Sequence, residues 1–188
     1  MYWKVLLAVL FVCASEPAHS QVVPPAEKPG LPLSIGAGYS NFNTDWLGRI
    51  SGTTVWIDWS FYRAPSYLNR LGIELEGRDL SYGITANLPL RYDTIGGGPI
   101  YKWRYRRFAP YGKFFLEYGN VDFPPFGNYS HDTRTVYAPG GGLDYRVSRS
   151  IWVRGDYEYQ FWTNIFHGHT LNPSGFTVGA FYDFHNRW

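Results

Sequence analysis

The chain has 188 residues, a formal charge of +2 and a single Cys. The near-neutral charge argues against a nucleic-acid binder, the 45% hydrophobic share argues against a disordered chain, and the lone Cys excludes an internal disulfide or a Cys-x-x-Cys zinc site. Aromatic residues reach 20% and Gly numbers 21, a pairing that suggests β-structure with tight turns in one domain.

Residues 1–20 read as a secretory signal peptide. Lys4 gives the positive start, Val5 to Cys13 form a short apolar run, and Ala18-His19-Ser20 places small residues before a cut ahead of Gln21. The run is too short for a membrane-spanning helix, which takes about 20 residues. Cys13 follows Val12, not the small residue that a lipoprotein signal wants. Residues 21–32 are Pro-rich and aperiodic and predict a linker. The remainder, 33–188, carries period-two alternation.

The alternation predicts eight strands, near 32–41, 51–62, 70–78, 94–105, 109–118, 134–147, 150–161 and 175–187. The first has no charge and sets Leu33, Ile35, Ala37 and Tyr39 on one face. In the second, Val55, Ile57 and Trp59 oppose Asp58; in the third, Leu71, Ile73 and Leu75 oppose Glu74, Glu76 and Arg78. In the fourth, Tyr101 and Trp103 oppose Lys102 and Arg104; in the fifth, Phe114, Leu116 and Tyr118 oppose Lys113 and Glu117. In the sixth, Leu143 and Tyr145 oppose Asp144 and Arg146; in the seventh, Tyr157 and Tyr159 oppose Arg154, Asp156 and Glu158. In the eighth, Tyr182 and Phe184 oppose Asp183.

This pattern fits a soluble lipocalin-type barrel with its apolar face inward or a transmembrane barrel with its apolar face outward. Three features favour the membrane. The apolar face is crowded with Trp, Tyr and Phe, as interfacial girdles require. The charged face carries both signs among Gly and Ser, so its charges can pair in a narrow interior. The strands are long enough, because about 9–11 tilted residues cross the hydrocarbon. The expected fold is therefore all-β, an eight-stranded antiparallel up-and-down barrel. Long joints at 42–50, 79–93, 119–133 and 162–174 are expected to alternate with short ones at 63–69, 106–108 and 148–149, with long loops outside the cell and both termini in the periplasm.

The run GGGLDYRVSRSIWVRGDYEYQFW at 140–162 and IGGGPIYKW at 95–103 resemble small bacterial outer-membrane barrels of the OmpA-like and OmpX-like kind, over about 31–188. Thr177, Gly179, Tyr182 and Phe184 fit polar-x-Gly-x-x-aromatic-x-aromatic, which looks like the signal read by the barrel-assembly machinery. The resemblance implies a location in the bacterial outer membrane. Its expected partners are membrane lipid, lipopolysaccharide, and the assembly machinery during insertion.

Several motifs are weighed and set aside. His167-Gly168-His169 lacks a Cys or carboxylate to complete a metal site. Lipid A deacylases use a His, a Ser two positions later and an acid; His169 is followed by Thr170 and Leu171, and His167 by His169 two positions on, so the Ser is missing. The lumen carboxylates could serve as acid–base pairs, but an ion-pair network accounts for them together with the cations. Gly96-Gly97-Gly98 and Gly140-Gly141-Gly142 lack the Lys-Ser/Thr of a phosphate loop. Trp103-Arg104-Tyr105-Arg106-Arg107 reads as an interfacial anchor near anionic lipid. No cofactor and no catalytic residue is expected. The function expected is a structural or interaction barrel with a plugged lumen and four surface loops. Its alternatives are a narrow ion channel or permease, or a lipid A-modifying enzyme. Loop 119–133, with Phe123, Pro124, Pro125, Phe126 and Tyr129, suits an unidentified partner or packs on the rim.

Overall fold

Valine, isoleucine, threonine and the aromatics fit a pleated surface better than a helix, and the computed structural model consists of strands joined by turns, with no helix, over its described residues, 31–45, 48–61, 68–83, 90–122, 131–165 and 169–184. Residues 1–20, where a signal peptide is expected, residues 21–30 of the expected linker, and residues 123–130 lie outside them. The strands are β1 (Leu33–Asn43), β2 (Arg49–Ser60), β3 (Leu71–Gly83), β4 (Arg91–Lys102), β5 (Phe108–Asp122), β6 (His131–Arg146), β7 (Ile151–Tyr159), β8 (Phe161–Ile165), β9 (His169–Leu171) and β10 (Ser174–Asp183). Sequential neighbours pair antiparallel from β1 to β7, β10 pairs with both β7 and β1, and the ring is closed. Closure leaves no unpaired edge to face lipid.

Ten segments make eight staves. β8 continues β7 beyond Gln160 and still pairs with β6, while β9 leads into β10 and pairs with β8. The interruption falls at Pro173, which has no N–H to give to a ladder. Its carbonyl accepts from Gln160 N–H at 2.8 Å, so the staves stay joined.

The lower barrel is apolar outside and charged inside. On β5, Phe108, Phe114, Leu116 and Tyr118 are exposed while Lys113 and Glu117 are buried. Eleven residues from Phe108 to Tyr118, at a rise of about 3.4 Å and a tilt of about 40°, give roughly 26 Å, the height of a lipid-facing band.

Above that band the polarity inverts on the same strands. Outward positions become Asn41, Thr53, Asp79, Asp93, Asn120 and Thr135, one step beyond Tyr39, Val55, Gly77, Ile95, Tyr118 and Tyr137. Inward positions become apolar: Phe42, Ile50, Leu80, Tyr92, Val121 and Val136 are buried, with Trp162, Ile165 and Leu171 completing one cluster. Two inward glycines make room for large rings. A Cβ at Gly36 would stand 2.4 Å from Trp56 Cε2, and one at Gly119 would stand 2.3 Å from Trp162 Cη2.

Two expectations are corrected here. Strands expected to stop at 78 and 118 and to start at 134 instead run to Gly83, to Asp122 and from His131. Asp79 and Asp122, beyond those points, sit outward, against the lower parity, because water and headgroups replace lipid there. The expected alternation of long and short joints also fails. Joint 162–174 holds β8 and β9, the other loop-end joints shrink to 44–48, 84–90 and 123–130, and 61–70 at the opposite, turn end is no shorter.

An arginine at Phe114, exposed near mid-band, is expected to destabilise the barrel in liposomes by about 2–4 kcal/mol. An arginine at Thr135, above the band, is expected to cost about 0–1 kcal/mol in the same denaturant titration.

Candidate functional site

The lower lumen is a slab of paired charges, built where inward positions of β2 to β7 carry Asp, Glu, Lys and Arg. Arg154 on β7 is its centre. Its Nε and Nη2 donate to Asp144 at 2.8 and 3.2 Å, and its Nη1 donates to Glu74 at 2.7 Å. The guanidinium also lies 4.8 Å from the ring centroids of Trp56 and Tyr111. Lys102 bonds Asp58 and stands 3.2 Å from Asp144.

A second group lies further along the axis. Arg78 bonds Glu76 and reaches Glu158 at 2.7 Å. Lys113 Nζ lies 3.0 Å from both Glu76 and Glu158 and 2.9 Å from Asp156. The Tyr111 hydroxyl donates to Asp156 at 2.6 Å. All of these side chains are buried. Such pairs persist only when geometry and hydrogen bonds offset desolvation.

Glu76, Glu117 and Glu158 are the described residues that could jointly hold a cation, with carboxylate oxygens within 4.8 Å of one another. The Lys113 ammonium already supplies positive charge between Glu76 and Glu158. Glu117 accepts a 3.3 Å bond from Gln160, whose side chain also donates to Glu158 and accepts from Trp162. Gln160 thereby ties the charges to the apolar cluster above them.

Apolar layers bound the slab at both ends. Trp152 stacks on Phe181 at 5.9 Å, with Trp56 and Ala109 beside them, at the turn end. A cavity of only about 10 Å³ remains there, lined in part by Ser34, Asp58, Lys102 and Asp183. That volume is about one water.

Three residues placed in the network by sequence sit at its margin. Arg104 lies past the end of β4 at Lys102; it is exposed at the rim and reaches Ser60 at 3.5 Å. It keeps the inward parity of Lys102 and lines the small turn-end cavity with Asp58, Asp144 and Asp183, at the mouth of the lumen and outside the buried slab. Arg146, at the end of β6, is half-buried with its guanidinium 5.9 Å from the Trp152 ring. Asp183 is buried at the last position of β10. On the outer wall Trp59, Trp103, Tyr145, Tyr157, Tyr159, Tyr182 and Phe184 are exposed, and Tyr101 is half-buried against Trp103 at 4.7 Å.

Sequence reasoning missed a polar belt above the band. Arg91 donates to Asp79 and Asp93 at 2.9 and 3.0 Å. Partial burial pushes the Asp93 carboxyl up, against the pull of Arg91. On the neighbouring strands His131 Nδ1 lies 2.6 Å from Asp122, and Thr133 Oγ1 lies 3.4 Å from His131 Nε2. This acid, imidazole and hydroxyl are in line on the outside of the barrel. The signal was His-x-Thr at 131–133, but Asp122 joins it only through the β5–β6 ladder, where Asp122 pairs with His131.

Replacing Arg154 by Met strands Glu74 in the lumen, leaves Asp144 with Lys102 as its cation, and is expected to cost about 3–5 kcal/mol of unfolding free energy. Replacing rim-exposed Arg104 by Met is expected to cost about 0–1 kcal/mol. Denaturant unfolding in lipid vesicles, with heat-shifted gel migration as the fold check, reads both.

Solved structures share this architecture. Neisserial surface protein A (NspA) aligns with a TM-score of 0.66 and 15% identity, covering 84% of this chain and 100% of its own. Ail, the attachment invasion locus protein of Yersinia pestis, aligns with a TM-score of 0.55 and 19% identity over 80% of this chain and 96% of its own. A major outer membrane protein of Thermus thermophilus aligns at 0.54 and 10% identity over 80% and 98%. At these identities the likeness is one of fold. No curated protein matches the chain. The family model described as the outer membrane protein beta-barrel domain matches residues 5–184, and the chain, an eight-stranded barrel of the bacterial outer membrane, belongs to that family.

Proposed function

We propose that the barrel is a non-enzymatic structural and interaction protein, closed to ions along its axis, which offers its loop end to partners. The observation that carries this reading is the apolar plug. Phe42, Val121, Val136, Trp162, Ile165 and Leu171 are each 1% exposed or less across the loop-end lumen. A dehydrated ion would have to cross that layer and then break the paired slab beneath it. An eight-stranded interior is just wide enough for side chains to fill. Both ends of the ring, at Leu33 and Asp183, lie at the turn end, and this supports placing the termini in the periplasm. The outward belt of Arg49, Asp79, Arg91 and Asp93 then meets lipopolysaccharide headgroups. The strand β10 residues Thr177, Gly179 and Tyr182, with Phe184 just beyond, serve the assembly machinery. Residues 1–20 act as the export signal.

In planar bilayers the purified barrel is expected to give no steady conductance step. A reproducible ohmic current would replace this reading with the channel alternative.

The Asp122–His131–Thr133 alignment favours a second reading, a hydrolase acting on acyl esters at the outer leaflet. There the imidazole would take the hydroxyl proton and the carboxylate would orient it. At 3.4 Å the hydroxyl is outside the roughly 2.6–3.2 Å reach of proton transfer, so the structural reading stands first. Lipid A from cells with and without the protein is expected to have the same mass. Loss of one acyl chain that is abolished by His131→Ala would establish the hydrolase.

A further inference from the structure

The buried carboxylates of the lumen outnumber its cations. In the group nearer the plug, Glu76, Glu117, Asp156 and Glu158 are buried with Arg78 and Lys113 to balance them. The neighbouring group has no spare cation, since Arg154 and Lys102 there hold Asp58, Glu74 and Asp144. Two carboxylates are therefore in surplus in a closed interior, where an unpaired ionised group is strongly disfavoured.

The surplus falls on Glu117. Glu76, Asp156 and Glu158 each contact Lys113, and Glu76 and Glu158 also contact Arg78. Among the described residues no cation bonds Glu117. Its Oε2 accepts a bond of 3.3 Å from Gln160, whose Nε2 donates more closely to Glu158, at 2.8 Å. Its Oε1 is buried without a hydrogen-bond partner.

Strand register gathers further oxygens around that atom. Glu76 and Glu117 both pair with Gly96, so they flank it on one rung of β3, β4 and β5. Gly96 has no side chain to stand between them. On the β4 position one inward step up, Thr94 is buried between Arg78 and Gly119, and its hydroxyl also has no partner. Glu158 comes from β7, and one carboxylate oxygen from each of Glu76, Glu117 and Glu158 lies within 4.8 Å of the others.

A donor set made wholly of oxygen selects a hard cation. The surplus of two charges calls for a divalent one. Opposite ligands stand roughly 4.6–5.2 Å apart on calcium and about 4.0–4.2 Å apart on magnesium, and the span of the three carboxylates suits calcium. Val136, which pairs with Glu117, and Trp162, which bonds Gln160, cap the place with the apolar plug. An ion there is enclosed as the ring closes and leaves when the ring opens.

We propose that Glu76, Glu117 and Glu158, with the Thr94 hydroxyl, form a buried binding site for one calcium ion, taken up as the barrel folds. The site goes beyond the structural and interaction reading and depends on neither the membrane orientation nor a loop partner.

The test refolds the full barrel from urea into detergent micelles, with either calcium chloride or EDTA present throughout. Gel migration before and after heating reports folding. Once free ions are removed, elemental analysis of the calcium-folded wild type is expected to find about one calcium per barrel. That calcium is expected to stay when EDTA is added to the folded protein and to be released on unfolding. The unfolding midpoint is expected to be higher than for protein folded in EDTA; failure to fold in EDTA supports the site equally. Glu117→Gln removes the unpaired charge at nearly constant shape. It is expected to fold in either buffer with one midpoint and to hold no calcium. Thr94→Val replaces a hydroxyl that bonds nothing else, and is expected to fold and to hold calcium several-fold less firmly. A wild-type barrel that folds in calcium and carries none overturns the site, as does calcium retained in full by Glu117→Gln. Equal midpoints in calcium and EDTA, with stability that falls as pH rises, overturn the cation and assign the surplus to protons held on the carboxylates.

Discussion

One constraint organises the molecule: each strand passes through two solvents. Over the lower band its outer neighbour is hydrocarbon, where an ionised side chain costs about 2–4 kcal/mol at mid-depth. Above the band its outer neighbours are water and headgroups, and apolar side chains gain by turning inward, at roughly 25 cal/mol per Å² hidden. Because side chains alternate strictly across a strand, the chain answers the change of solvent by exchanging which parity is apolar. β3 makes the exchange between Leu75 and Leu80, β4 between Ile95 and Tyr92, and β5 between Tyr118 and Val121. Along β4 and β5 the ladder runs through the boundary without a break, whereas the β2–β3 register shifts at Ser51 and Gly52 and the staves of β7 and β10 are interrupted.

The charged slab and the apolar plug follow from this exchange. Inside the band, inward positions face neither lipid nor bulk water, so charges are admissible there only in pairs. Arg154, Arg78, Lys102 and Lys113 each hold two or more carboxylates drawn from different strands. These contacts fix strand against strand in one register, since a one-residue slip would turn the pairs out to lipid. Above the slab the inside of the barrel is an ordinary hydrophobic core, and Gln160 joins the two regimes by bonding Glu158 below and Trp162 above.

Much of this was legible from residues alone. The two-residue period separates Glu74, Glu76 and Arg78 from Leu71, Ile73 and Leu75, and the structure buries the first set and leaves Ile73 and Leu75 exposed. The same rule misplaced the strand ends. Asp79, Asp93 and Asp122 broke the lower parity and were read as loop, although they mark the edge of the band and not the end of the strand. Arg104 keeps the period, since Trp103 and Tyr105 still bond across to Pro110 and Phe108, but it stands at the open rim of the lumen and not in the buried slab. The plug residues carried a readable signal, since Phe42, Ile50, Leu80 and Val121 all lie on the parity opposite to their own strand's lower apolar row.

By itself the sequence determined the class of fold, the span that meets lipid and the sign of each face, because these depend on local alternation and on the medium outside. Tertiary structure alone decided which charges pair, that Gly36 and Gly119 stand beneath tryptophan rings, that Asp122 meets His131, and that Glu117 comes beside Glu76 and Glu158. Each of those depends on register between strands whose partners are many residues apart. Register is set by the packing of the closed ring as a whole, so no window along the chain contains it.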